Sequence, residues 1–347
     1  MKVLHVNSEK SWRGGEQQMA SLMKILNNEG VKSSLLARKS SEAYKRLKAE
    51  NFEAWEAAYG GLNLSSSLKL KRLMKDFDII HTHTANAHTV AYLASVWGGK
   101  TPIIVSKRTD FPVKSLRKFN HSNIKRILCV SNKITEITRG AVKEPNRVQT
   151  VYSGIDTSRF DGKQKDLRDI IGLARNAPLI GNCSALAPHK DYFTFIDVAK
   201  NFPEQNFVII GDGPLKSELQ EYGKDLSNLF FTGFLPDIQC YLKSLDYFLM
   251  TSETEGLGTS LLDAMICRIP IVSTRAGGIP EIVIDNKTGY LANIGSVDEL
   301  SSQLRKMISD QNTRSKLIEN AYQNVKEHFT REITAKQTLK IYKEILG

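Results

Sequence analysis

Glu255 and Asp263 are two acids eight positions apart, with Gly256-Leu257-Gly258-Thr259-Ser260 between them. Just upstream, Tyr247-Phe248-Leu249-Met250 is a short apolar run that reads as a buried strand. Just downstream, Leu261, Leu262, Met265 and Ile266 recur at helical spacing. The stretch is therefore strand, glycine-rich loop, helix. Gly256 and Gly258 leave the loop bare where a ligand could approach the backbone. The free N–H groups of Gly258, Thr259 and Ser260 open the helix and suit a phosphate. Carboxylates accept hydrogen bonds from sugar hydroxyls, so the whole fits a diphosphate flanked by hydroxyl-bearing groups. The plain alternative is a tight turn with two solvated acids. A dinucleotide fingerprint fits poorly, because Leu261 stands where a third glycine is wanted.

Four other places could carry chemistry. Gly14-Gly15 lies between a strand and a helix, where backbone N–H groups could meet a phosphate or merely turn the chain. Lys190 follows another apolar strand and could neutralise a phosphate or be an ordinary surface lysine. His81 and His83 alternate on a strand with His88 nearby. Without a third ligand cluster, zinc is set aside in favour of a polar contact to substrate or a satisfied core histidine. Asp76-Phe77-Asp78 has an Asp-x-Asp form but joins a helix end to a buried strand, an ordinary boundary. No metal is expected.

The elements that must position these residues come in βα order. The 347 residues exceed one ordinary core, so two domains are expected. Charged residues at 24% and hydrophobic ones at 41% are those of a soluble globular protein. The four cysteines are far apart and fit reduced cytosolic thiols. The chain starts without a signal-peptide core, and no stretch is apolar enough to span a bilayer, which together predict a cytoplasmic protein. Strands at Lys2–Asn7, Ser33–Ala37, Asp78–His83, Pro102–Lys107, Arg126–Ser131 and Val148–Ser153 alternate with amphipathic helices. Residues 161–177 read as a linker. The rhythm then restarts with strands at Leu179–Ser184, Asn206–Ile210, Leu229–Phe231, Tyr247–Met250 and Pro270–Ser273. Two doubly wound parallel sheets are predicted, with ligands beyond their carboxyl ends and in a cleft between the domains.

Charge is uneven along the chain. Residues 1–165 carry net +15 and residues 166–347 net −4, making the overall +11. Such asymmetry calls for an anionic partner of the first half. No helix-turn-helix, zinc finger or RNP-like motif accompanies it, so nucleic acid is not expected. Lys69, Lys71, Arg72 and Lys75 interleave with Leu68, Leu70, Leu73 and Met74. Lys114, Arg117, Lys118, Lys125 and Arg126 accompany Phe111, Leu116 and Phe119. Both patterns suit the face of an anionic membrane, or a solvated helix packed on its own sheet.

Taken together, the chain resembles the retaining GT-B glycosyltransferases of family GT4. Ser252 to Met265 resembles the family's Glu-x7-Glu signature. Gly211-Asp212-Gly213-Pro214, Gly233-Phe234, Ala276 to Val283, Ile79 to His83 and Tyr152 to Asp156 match in order. The resemblance implies two Rossmann-like domains facing a central cleft: residues 1–160 for the acceptor, joined by the crossover helix 331–347, and residues 178–330 for the nucleotide sugar. Glu255 would bind sugar hydroxyls and Asp263 the ribose. Gly258, Thr259, Ser260 and Lys190 would hold the diphosphate, Leu235 would lie against the base, and Gly14 and Gly15 would approach the phosphates. His83 would meet the transferring sugar near the acceptor. The sequence departs from the family in two ways. Asp263 is shorter than the usual Glu, and Ala185 stands at the place of an Arg that often accompanies the Lys. Arg108 is a candidate replacement.

The implied reaction uses no cofactor. It moves a sugar from a nucleotide-diphosphate sugar, UDP first and GDP or ADP next, to an acceptor hydroxyl with retention. No residue declares itself as a nucleophile, so front-face attack is the expected course. The expected acceptor is a lipopolysaccharide core or a lipid-linked saccharide at the inner face of the cytoplasmic membrane. A nucleotide-sugar epimerase of the same fold, or a non-catalytic sugar-nucleotide-binding protein, are the competing readings.

Overall fold

The computed structural model describes residues 1–59, 63–113 and 115–347. They form two units, Met1–Gly154 with Arg331–Gly347, and Ile155–Thr330. Lys114, part of one basic stretch, lies outside the described residues.

The first unit holds seven parallel strands: β1 (Lys2–Asn7), β2 (Lys32–Arg38), β3 (Ala54–Ala57), β4 (Ile79–Thr82), β5 (Ile103–Lys107), β6 (Ile124–Cys129) and β7 (Val148–Thr150). Their order is β3-β2-β1-β4-β5-β6-β7. Apolar runs such as Val3, Leu4 and Val6 on β1 are fully buried because helices cover both faces of the sheet. The strand order reverses between β1 and β4, which pair directly with His5 opposite His81. That reversal opens a crevice at the carboxyl ends of both strands.

The second unit repeats the plan with β8 (Leu179–Cys183), β9 (Asn206–Ile210), β10 (Leu229–Gly233), β11 (Tyr247–Met250), β12 (Ile271–Thr274) and β13 (Tyr290–Ala292). The order is β10-β9-β8-β11-β12-β13, so β8 and β11 flank the switch point. One core cluster serves this sheet, with Ile180, Phe195, Phe207 and Leu249 fully buried.

The last helix, Arg331–Leu346, packs on the first sheet. It buries Ala335, Thr338, Ile341 and Tyr342. Burying an aliphatic side chain such as Ile341 stabilises by about 1.5–3 kcal/mol. The Tyr342 hydroxyl reaches His81 Nδ1 at 2.5 Å, across 261 positions of sequence.

Two expectations need correction. Residues 161–177 are not a linker: they lie within the second unit, where Leu167–Ile171 is a short helix. Leu167 is fully buried there, and Arg168 donates to the carbonyls of Ala177 at 2.8 Å and Ser244 at 2.6 Å. Most of the stretch is exposed, and Leu167 and Arg168 are the buried residues that anchor it to the second unit. The strands Ala54–Ala57 and Tyr290–Ala292 were absent from the expected set. Both are short and lie at sheet edges, so they show little periodicity. On the helix Leu64–Met74, Lys69 donates to the Glu56 carbonyl at 2.7 Å.

Candidate functional site

In the second unit, the loops leaving β8 and β11 meet because those strands are neighbours. The Lys190 ammonium lies 2.5 Å from Glu255 Oε1, with both side chains largely buried. Three further bonds fix the two loops. Thr251 Oγ1 donates to the Lys190 and Asp191 carbonyls at 3.2 and 2.7 Å. The Glu253 amide donates to the His189 carbonyl at 2.9 Å. Asp191 adopts a left-handed backbone (φ +44°), and its carboxylate caps the helix Tyr192–Lys200.

Ser252 Oγ also donates to Glu255 Oε1, at 2.9 Å. Both bonds fall on Oε1, and no hydrogen bond engages Oε2 among the described residues. The Glu255 backbone is pressed against Gly277, whose φ is +51° and where a Cβ would collide with the Glu255 carbonyl. The Gly278 amide donates to that same carbonyl at 3.0 Å. The Ala276-Gly277-Gly278 segment therefore holds the loop from behind.

Gly258 is the N-cap of the helix Thr259–Ile266, with φ +87° and no side-chain cap. Its position gives the Thr259 and Ser260 amides no capping side chain, the condition that suits an anion. Asp263 follows one turn later. Its carboxylate lies 4.0 Å from the Arg159 guanidinium. Burial and the nearby Asp263 push the Cys183 thiol up to about 12, against the opposing charges of Arg159 and Lys190. Sequence reasoning missed Arg159. It sits in the Thr157–Phe160 turn, next to the stretch read as a linker, and no local pattern marks it. Ala185 is exposed. Leu235 is half-buried just past β10, the far edge strand, and beside it Phe234 is 71% exposed.

In the first unit, Gly14 and Gly15 open the helix Gly14–Asn28 at the β1 side of the switch point. Glu16 fastens that loop, accepting from Asn7 Nδ2 at 3.2 Å and from the Arg13 amide at 3.1 Å. A Cβ at Gly14 would meet nothing within 4 Å, and at Gly15 only Arg108 Cδ at 3.9 Å. The glycines are thus not demanded by their own neighbours; they leave free space over the amides.

His83, at the carboxyl end of β4, is buried, and its Nε2 lies 2.9 Å from His5 Nδ1. His5 is the partner that sequence reasoning lacked. With His81 it forms the one group of three potential metal ligands among the described residues. The rings are better described as a neutral hydrogen-bonded array. His81 already meets Tyr342 and, at 2.8 Å, Ser106 Oγ. Burial lowers His5 to about 3 and holds His81 and His83 well below the ordinary histidine range, with Arg108 adding to the effect on the last two. His88 lies apart, bonded to the Lys118 carbonyl at 3.2 Å and lowered to about 3 by burial.

The family model described as "Glycosyl transferases group 1" matches residues 163–324. The model described as "Glycosyltransferase Family 4" matches residues 12–159. The chain is 28% identical over 305 residues to the N-acetyl-alpha-D-glucosaminyl L-malate synthase of Bacillus anthracis, covering 82% of this chain and 79% of that one. It is 25% identical over 341 residues to the lipopolysaccharide core biosynthesis glycosyltransferase LpsE of Rhizobium meliloti, covering 96% of each. Among solved structures, Anabaena HepE in complex with UDP superposes with a TM-score of 0.87 at 19% identity, over 99% of this chain and 100% of that one.

Proposed function

The chain belongs to the GT4-type glycosyltransferases, and from that premise we propose a retaining, metal-independent enzyme. It moves a sugar from a nucleotide-diphosphate sugar to a hydroxyl of a cell-surface glycan, a lipopolysaccharide core or a lipid-linked saccharide. The observation that carries this reading is the Lys190–Glu255 pair, held 2.5 Å apart beside the uncapped helix start at Gly258. A cation, free amides and an acid with one unengaged oxygen suit a diphosphate and an adjoining sugar.

In this reading Lys190 and the amides of Gly258, Thr259 and Ser260 take the diphosphate. Glu255 Oε2 takes sugar hydroxyls, Asp263 the ribose and Leu235 the base. Gly14 and Gly15 offer amides to the phosphates, and His83 meets the transferring sugar near the acceptor. The two substrates are positioned and the departing diphosphate is stabilised; these terms supply the catalysis. The leaving phosphate accepts the acceptor's proton in a front-face attack. The compensating charge comes from Lys190 and backbone dipoles, so no ion is required. Arg159, beside Asp263, makes up part of the positive charge that Ala185 does not supply. UDP is the first choice of donor nucleotide, supported by the UDP complex of the Anabaena neighbour. The acceptor reading draws on the lipopolysaccharide-core relative and on the basic first half of the chain.

The surface of the first unit favours docking on an anionic bilayer. On the helix Leu64–Met74, Leu64 and Leu68 are each 47% exposed and share a face with exposed Arg72 and, just beyond the helix, Lys75. Phe111 and Leu116 are also exposed, beside Arg117. No helix among the described residues is long and apolar enough to cross a membrane. We place the protein on the cytoplasmic face of the membrane through this surface.

The test is a thermal-shift titration with UDP, GDP and ADP in the presence of a chelator, followed by transfer assays and anomeric analysis of the product. UDP at 100 times its dissociation constant should stabilise the fold by about 2.7 kcal/mol. Lys190→Ala should lower turnover by about 100-fold, as for loss of one charge-stabilising donor. No response to any nucleotide from the folded protein would sink the reading, and an inverted product would remove the retaining assignment.

A further inference from the structure

Arg108 follows β5 at its carboxyl end and borders a partly open pocket of about 40 Å³ in the first unit. A single water needs about 10–15 Å³ on that scale, so the space holds several waters or the oxygens of a small anion. Gln18, Ser21, Ser153 and Arg331 also line it, and no carboxylate does. Among the described residues Arg108 has no ion pair. Its guanidinium donates to Gln18 Oε1, an oxygen that Ser153 Oγ shares at 2.9 Å. The acid that acts on it, Glu16, spends its oxygens on Asn7 and the Arg13 amide. Arg108 Nε is buried without a hydrogen-bond partner, and so is the hydroxyl of Ser21, itself 5% exposed.

A partly buried cation whose Nε is enclosed, and an orphan hydroxyl beside it, face a pocket without acids, and an anion there would offset the cost of both. Arg presents a planar fork that matches carboxylate and phosphate oxygens. We infer that this pocket is a binding site for a small oxyanion, a carboxylate or phosphate group, held by Arg108 and Ser21. The inference concerns the first unit alone. Two sources share this chemistry: a free anion, or the anionic group of a larger molecule such as the acceptor.

The experiment is a thermal-shift and calorimetric titration of the full chain with inorganic phosphate and with phenyl phosphate, at ionic strength matched with sodium chloride. UDP is run in parallel on every protein. Phosphate should bind saturably, and Arg108→Met should weaken it at least tenfold, well beyond any change in the UDP shift. Ser21→Ala should weaken phosphate severalfold. Without anion, Arg108→Met should melt as one transition at or above the parent's temperature, because an unpaired, partly buried charge has been removed. Phenyl phosphate binding as well as phosphate would assign the site to the head of a larger molecule; phosphate alone would assign it to a free ion. Undiminished phosphate binding in Arg108→Met overturns the inference. So does loss of UDP and phosphate together, which would give Arg108 to the diphosphate. A markedly lower melting temperature also overturns it, because the arginine would then be satisfied by the protein. A parent that ignores UDP but binds phosphate through Arg108 would count against the donor reading only.

Discussion

At the scale of single residues, the first unit carries a liability in acid. His5 and His88 are buried, uncharged, and lowered to about 3. In the unfolded chain each titrates near 6.5. Below that value the unfolded state binds protons that the native state refuses, so stability falls as pH falls. Each such histidine removes about 1.4 kcal/mol per pH unit between roughly 6 and its native value. Urea unfolding of the whole chain from pH 7.5 to pH 5 should therefore show a steep loss. His88→Asn should shallow the slope by about one proton's worth, and a slope that this change leaves untouched would contradict the burial argument. The same neutral array occupies His83 Nε2 through His5, and leaves Nδ1 buried without a hydrogen-bond partner among the described residues.

Among the elements, the loop after β11 owes its shape to the segment after β12. Those strands are hydrogen-bonded neighbours, which brings Gly277 against the Glu255 backbone. Gly277 needs a left-handed conformation and offers no room for a Cβ. Gly277→Ala should cost about 1–3 kcal/mol, as for a residue forced into a sparsely populated backbone region. Urea unfolding would measure that loss, and nucleotide binding should weaken with it, because the displaced neighbour is Glu255. Unchanged stability would mean that the two loops are not in contact. The Ala276-Gly277-Gly278 match is thus more than a family mark: it is a spacing requirement between two backbones.

For the whole molecule, the basic part of the chain also presents exposed apolar groups. The basic residues lie mainly before position 166, and Leu64, Leu68, Phe111 and Leu116 are exposed in that same part of the chain. Sedimentation with phosphatidylglycerol vesicles should carry the protein down at low salt. Release is expected near 1 M salt, where the Debye length is about 3 Å. Leu68→Glu combined with Arg72→Glu should weaken the association at least tenfold, since it removes apolar area and reverses charge on one face. Equal binding by the variant would place the contact elsewhere on the protein.

The sequence alone determined the βα rhythm, the two-sheet architecture and the glycine-rich loop at Gly256–Gly258. These features are local: hydrophobic periodicity, glycine at turns and helix starts are written in neighbouring residues. Most strand positions were legible for that reason, the edge strands β7 and β10 among them; the short edge strands β3 and β13 were not, because they have little pattern. Only the tertiary structure decided which distant residues meet. It set Lys190 against Glu255 across 65 positions, gave His83 its partner His5 across 78, and brought Arg159 to Asp263. It also joined Arg168 to Asp246, turning an apparent linker into part of a core. Strand order is set by the burial of whole faces, a property of the assembled sheet, so no window of sequence contains it.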